Sequence, residues 1–280
     1  MALSVSRWRN NIQMPLNLNG KPSLIVYVTC GDPDLTTTRD IVLAAIDAGA
    51  QVVELGVPFS DPVADGPVIQ RASERALKNG TTLAQVLELA RELRKQRPKA
   101  GLIVFSYLNP VLRLGLARFC AAAADVGADG ALITDLTVDE AGDYLRVMRA
   151  RDLATVFLAA PTSTDERLQR IADVSRGFVY AVSRTGVTGT REDVAADARE
   201  LVQRLRKFTR LPIAVGFGIS TPAQFAEVGE FADAAVVGSA IVRAIEQAGR
   251  ERAPQAVAEL VASLIARGQR KVGKRLAISN

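Results

Sequence analysis

The 280-residue chain is 48% hydrophobic and 23% charged, with a net charge of +5. Those proportions suit a soluble globule with an ample core, either one large α/β domain or two small ones. Histidine is absent, which excludes Ser-His-Asp and Cys-His catalysis and most zinc sites, and leaves acid–base chemistry to carboxylates, Lys, Tyr or Cys.

The N-terminus, Met1 to Arg9, lacks the apolar core of a secretory signal, and no apolar run nears the roughly 20 residues that span a bilayer. A cytoplasmic enzyme without a membrane partner is the expectation. Residues 1–22 read as a lead, with a short helix at Ser4–Ile12 closing the bottom of the fold. Strand patterns follow at Leu24–Thr29, Gln51–Leu55, Leu102–Ser106, Gly130–Thr134, Thr155–Ala159, Phe178–Ser183, Ile213–Phe217 and Ala234–Val237. Most are apolar residue after residue, as strands covered on both faces are. Amphipathic stretches lie between them. The clearest puts Leu83, Val86, Leu87, Ala90 and Leu93 on one face, opens at Thr82 with Gln85 three residues on, and ends at Arg97-Pro98. Ser163 to Glu166, after Pro161, reads as a second capping box. Cys30 and Cys120 show neither a disulfide framework nor metal spacing. The basic excess is spread out, densest at Arg267 to Arg275, so residues 266–280 read as a solvated basic tail. Aromatics do not interleave with basic residues, so no nucleic-acid partner is expected.

Eight strands alternating with eight helical stretches point to a single (β/α)8 TIM barrel spanning residues 1–280. A doubly wound open sheet competes, since periodicity does not show closure. In such barrels the active site lies on the loops after the strands. Cys30 to Pro33, Glu54, Tyr107 to Pro110, Asp135, Ser183-Arg184, Gly216 to Gly218 and Gly238-Ser239 would then share one rim. The seventh and eighth of these loops, Gly216 to Pro222 and Gly238-Ser239, each open a helix with glycine and a hydroxyl. That arrangement builds either plain turns or a phosphate site. The polar, glycine-containing stretch Ser183 to Asp193 reads as a surface loop or as a lid.

The most informative string is Glu54-Leu55-Gly56-Val57-Pro58-Phe59-Ser60-Asp61-Pro62-Val63-Ala64-Asp65-Gly66-Pro67. A carboxylate closes an apolar run and two more follow on a Pro-stiffened loop, a way to fix titratable groups over a pocket. A solvated loop with ordinary acids is the plainer reading of any one of them. With Gly31-Asp32-Pro33-Asp34, Tyr107-Leu108-Asn109-Pro110, Gly186-Val187-Thr188-Gly189, Gly216-Phe217-Gly218-Ile219 and Gly238-Ser239-Ala240, the string resembles the tryptophan synthase alpha chain family over residues 4–265.

The resemblance implies a lyase that splits indole-3-glycerol phosphate into indole and glyceraldehyde 3-phosphate by a reverse aldol step. It implies Glu54 as the acid/base and Asp65 as the partner of the indole N–H. It sets Thr188 on Asp65 under a closed lid, gives the phosphate to Gly189, Gly218, Gly238 and Ser239, and borders the indole with Tyr27, Phe105, Tyr107, Tyr180 and Phe217. For these aromatics, plain barrel core is the competing reading. The resemblance further implies an alpha2beta2 assembly with a beta chain that carries pyridoxal phosphate, this chain needing no cofactor of its own. Asp61 and Asp135 would meet that partner. The family's Pro-Asp-Leu-Pro after strand four stands here as Thr134-Asp135-Leu136-Thr137, which loosens a stiff loop. A stand-alone lyase releasing free indole and a catalytically idle activator of a beta chain are the alternatives.

Overall fold

The computed structural model describes residues 16, 18, 22–182, 191–216 and 218–276, with side chains at 191–194 and 267–276 outside that description. Nine parallel strands form one sheet: β1 Ser23–Thr29, β2 Val52–Gly56, β3 Gly101–Ser106, β4 Gly130–Ile133, β5 Ala154–Val156, β6 Leu158–Ala159, β7 Val179–Val182, β8 Ile213–Gly216 and β9 Ala234–Val237. Their order is β5-β4-β3-β2-β1-β9-β8-β7-β6. The two edge strands are consecutive in the chain, separated by Phe157 alone. One side of that junction pairs with β4 and the other with β7. The chain itself therefore closes the ring, and the open-sheet alternative fails.

The helices are α1 Leu35–Asp47, α2 Pro67–Lys78, α3 Leu83–Gln96, α4 Leu108–Leu114, α5 Leu116–Asp125, α6 Gly142–Ala150, α7 Asp165–Val174, α8 Arg191–Arg206, α9 Pro222–Val228 and α10 Ser239–Leu276. They bury one apolar stripe each against the outward strand faces, through Val26, Val53, Val104, Ala131, Val215 and Val237. The alternate residues point inward, where Ile25, Val52, Ile103, Leu132, Val156, Phe178 and Ala234 fill the barrel. Leu16 belongs to this inner cluster. A side-chain carbon added at Gly101 or Gly177 would lie within 2.9 Å of it. Leu16 thus plugs the end where the strands begin. The helix expected at Ser4–Ile12 lies outside the described residues.

Several expectations need correction. The fifth strand is two strands, because the step at Phe157 changes pairing partners. α7 is capped by Thr164, whose hydroxyl accepts from Arg167 N–H, while the Ser163 hydroxyl accepts from Ala160 N–H and closes the preceding turn. α3 does carry the box from Thr82 to Gln85. The described helices number eleven, not eight, once α10 is divided at Gly249, and α2 and α4 fill the segments after β2 and β3. Helix continues through Leu276, broken at Gly249 (φ 70°), so the backbone of the expected basic tail is helical as far as it is described. α8 begins at Arg191, so the last residues of the stretch Ser183 to Asp193 are helical.

Candidate active site

β2 delivers Glu54 to the barrel interior. In the parallel register it faces Tyr27 of β1 on one side and Ile103 of β3 on the other. Glu54 is fully buried, and neither carboxylate oxygen meets a hydrogen-bond donor among the described residues. Such an orphaned group normally destabilises a fold by about 1–3 kcal/mol, so its presence calls for a functional reason. Burial alone pushes its pKa up to about 8, because a charge there would have neither water nor a partner. Glu54 is therefore protonated at neutral pH.

The rings around it are set by strand alternation. Tyr27 packs edge-on against Phe105, centroids 4.9 Å apart. Tyr180 enters from β7. Burial above all keeps both phenols protonated, and the nearby Asp65 charge acts the same way. Small residues make room for these rings. A side-chain carbon at Gly56 would lie 2.4 Å from the Tyr27 hydroxyl, and one at Gly216 would lie 2.4 Å from the Tyr180 hydroxyl. Both glycines sit at strand ends beside a tyrosine of the neighbouring strand.

Asp65 closes the loop between β2 and α2. The Tyr107 hydroxyl donates to Asp65 Oδ2 at 3.0 Å and accepts from Ala64 N–H at 3.0 Å. Gln70 Nε2 donates to the Asp65 carbonyl at 2.8 Å, and the Tyr107 ring lies 5.1 Å from that of Phe59. The loop is thus pinned from β3's end and from α2. Partial burial raises the Asp65 pKa to about 6, with the Tyr107 hydrogen bond pulling the other way. Two carboxyl groups with separated ionisations thus lie near the same tyrosines, Tyr27 and Tyr180, one neutral and one charged at pH 7. The sequence marked Tyr107 as a ring only. Its hydroxyl, the link to Asp65, was missed because the partner is 42 residues away.

At the last two loops the expected caps form. Thr221 and Gln224 make a capping box with Pro222 at the first helical position, and Gly218 adopts a positive φ of 73°. Ser239 opens α10, with Gly238 just before it, 3.5 Å from Tyr27 when given a side-chain carbon. The start of α10 therefore lies beside the Tyr27 ring. Thr188, Gly189 and Phe217 lie outside the described residues, as does 183–190, most of the expected lid. Asp61 is exposed and accepts from the Ser60 hydroxyl. Asp135, also exposed, accepts from Leu108 N–H at 2.7 Å and so caps α4 from a neighbouring loop. Cys30 and Cys120 are both buried and free.

The family model described as tryptophan synthase alpha chain matches residues 15–270. A tryptophan synthase alpha chain of Solibacter usitatus is 56% identical over 232 residues, covering 83% of this chain and 86% of that relative. One from Geotalea daltonii is 45% identical over 243 residues, covering 86% and 92%. Among solved structures, the tryptophan synthase subunit alpha of Legionella pneumophila superposes with a TM-score of 0.82 at 34% identity, covering 89% of this chain and 93% of that one. A chain of the tryptophan synthase complex of Pyrococcus furiosus gives 0.80 at 40% identity, covering 87% and 98%.

Proposed function

Because this chain belongs to the tryptophan synthase alpha chain family, it is a carbon–carbon lyase of tryptophan biosynthesis that cleaves indole-3-glycerol phosphate, and we propose that Glu54 and Asp65 carry the cleavage. Glu54, kept protonated by burial, donates to indole C3. The ring then holds a positive charge shared with its nitrogen. Asp65, ionised above about pH 6, accepts the ring N–H and stabilises that charge. The Glu54 carboxylate next takes the proton of the side-chain hydroxyl next to C3. The carbon–carbon bond breaks, its electron pair restores the aromatic ring, and the hydroxyl carbon becomes the aldehyde of glyceraldehyde 3-phosphate. Glu54 ends protonated, as it began.

In this reading the amides at Gly218, Gly238 and Ser239 hold the phosphate, joined by Gly189 from the lid. Tyr27, Phe105, Tyr107, Tyr180 and Phe217 border the indole, and Thr188 meets Asp65 on closure. The chain works as an alpha subunit with a beta chain in an alpha2beta2 assembly, a reading supported by its likeness to the Pyrococcus furiosus complex. Asp61 and Asp135 face that partner, beside Val63, which is 85% exposed on the Asp61 loop. Pyridoxal phosphate then belongs to the beta chain, and this chain supplies its chemistry from carboxylates alone. No described helix is long and apolar enough to cross a membrane, and a cytoplasmic location fits the biosynthetic role.

The observation that carries the reading is the unpartnered, fully buried Glu54 carboxyl beside Tyr27 and Tyr180 in the barrel interior. Indole release from indole-3-glycerol phosphate tests it, measured with and without a beta chain. Glu54→Gln should lower turnover about 10²–10⁴-fold while substrate still binds. Turnover within a few-fold of the unaltered protein would remove Glu54 from the mechanism. Equal rates with and without a beta chain, and no complex on size-exclusion chromatography, would favour the stand-alone lyase.

A further inference from the structure

One charged cluster lies outside the residues used so far. Arg75, on the third turn of α2, forks onto Asp32 in the loop after β1, with Nε to Oδ1 and Nη2 to Oδ2 both at 2.8 Å. Its third nitrogen, Nη1, donates to Glu246 of α10 at 2.8 Å. Asp32 is 4% exposed, whereas Glu246 is one-third exposed. A single guanidinium therefore joins three elements: the loop after β1, α2 and α10. Only arginine has the planar fork that serves two carboxylates at once.

Each joined element leads to the site. α2 starts two residues after Asp65, so the setting of the helix sets the loop. α10 starts at Ser239, about two turns before Glu246. Between the ionic seam and the pocket the same two helices meet through apolar side chains, Val68, Ile69 and Ala72 of α2 beside Val242 of α10, with Tyr27 beneath them. The seam is greasy next to the pocket and ionic on its outer side. On that outer side Glu246 pairs with Arg75 at 2.8 Å and with Arg71 of the same helix at 3.5 Å, and Arg75 alone of the two carries the link on to Asp32.

We propose that Arg75 is a positioning residue for the cleavage. It holds α2 in register with α10, so that Asp65 stands at a fixed offset from the phosphate-binding start of α10. This rests on the assignment of Asp65 and the α10 amides given above. A substrate seated by its phosphate then presents its ring nitrogen to Asp65 without further adjustment. A displacement of about 1 Å at such a contact can lower turnover by about 10²-fold. Substrate affinity, supplied largely by the phosphate and the ring pocket, should change little.

The test is steady-state indole release from indole-3-glycerol phosphate by the full chain with its beta partner, comparing Arg75→Met, Arg75→Lys and Glu246→Gln, with Glu54→Gln alongside. Arg75→Met should lower kcat about tenfold or more with KM within about threefold. Arg75→Lys should recover only part of it, since one ammonium cannot fork onto Asp32 and still reach Glu246. Glu246→Gln neutralises the one-third-exposed carboxylate that Arg75 and Arg71 share and leaves the fork onto Asp32 intact, so it disturbs the fold less than Arg75→Met, and it should lower kcat about two- to fivefold. Unaltered kcat and KM in Arg75→Met, whatever its melting temperature, would overturn the proposal. So would a rise in KM at unchanged kcat, or a silent Glu246→Gln where Arg75→Met is insoluble. If Glu54→Gln stays active, the site assignment fails instead; if it is dead and the Arg75 variants are silent, only the positioning role fails.

Discussion

Replacing Glu54 with methionine should stabilise the protein in a pH-dependent way while abolishing cleavage. In the fold the Glu54 carboxyl ionises only near pH 8, against an ordinary value of 4.5. Between those values the native state keeps a proton that the unfolded chain has released. The unfolded state then binds fewer protons than the native one, so stability falls as pH rises through that window. At about 1.4 kcal/mol for each pH unit, the loss reaches about 3 kcal/mol at pH 7 and about 5 kcal/mol above pH 8. Below pH 4.5 the carboxyl is neutral in both states and the effect vanishes. Methionine matches the length of glutamate, carries no ionisable group and packs well against aromatic rings. Asp65 also titrates here, but it is common to both proteins and cancels. Urea unfolding of the two proteins at pH 5, 7 and 8.5 reads the effect. The advantage of the variant should grow by about 2–3 kcal/mol from pH 5 to pH 7, at equal unfolding slopes. A difference that stays flat across this range would refute the reasoning, because Glu54 would then ionise like an exposed carboxyl.

The same two ionisations shape activity. The kcat/KM for cleavage should follow a bell, falling below about pH 6 as Asp65 protonates and above about pH 8 as Glu54 ionises; a profile level from pH 5 to 9 would break the assignment. Tyr107→Phe removes the hydroxyl that donates to Asp65 Oδ2, so the acidic limb should move to higher pH and kcat should fall. An unmoved limb would deny Tyr107 that influence. Gly56→Ala would set a carbon 2.4 Å from the Tyr27 hydroxyl, driving the ring toward the pocket. Activity should fall at least tenfold, as a misplacement of about 1 Å at a substrate contact can do, and full activity would mean that the Tyr27 ring has room to move.

Much of this architecture can be read from the sequence, and the parts that cannot have physical reasons. Apolar runs such as Leu24–Thr29 mark barrel strands because both faces are covered, one by helices and one by the barrel filling. The break at Phe157 is invisible in the run Thr155–Ala159, since only closure decides that pairing passes from β4 to β7. Glu54 is legible by position, an acid ending a buried strand. Its raised pKa is not, because that depends on which neighbours fail to offer a donor. Arg75 reads as one more solvated charge on an amphipathic helix. Its partners Asp32 and Glu246 are 43 residues before it and 171 after, a separation that no local pattern encodes. Ser163 and Thr164 compete equally for the α7 cap on paper, and the turn at Ala160 decides between them.

The two threonines after β4 separate once their bonds are known. Thr134 N–H donates to the Ser106 carbonyl at 2.9 Å, continuing the ladder between β3 and β4 by one rung. Proline there would delete that donor and also the Thr134 hydroxyl, which donates to the same Ser106 oxygen at 3.3 Å. Thr134→Pro should therefore destabilise the protein by about 1–3 kcal/mol. Thr137 instead begins the turn that leads into α6, its carbonyl accepting from Glu140 N–H and its hydroxyl donating to the Glu140 carboxylate. Among the described residues its own N–H donates no hydrogen bond, so proline removes only an exposed side-chain contact and narrows the unfolded ensemble, for a gain of about 0.4–1 kcal/mol. Asp135, which caps α4 from between these positions, would be held more firmly. Thr137→Pro alone should thus strengthen activation of indole release by a beta chain, while Thr134→Pro weakens it. Thermal melts of each variant, paired with indole release at saturating beta chain, read both effects. If Thr134→Pro proves as stable as the unaltered protein, the Ser106 rung does not bear on the loop, and the stiffness of this segment must come from elsewhere.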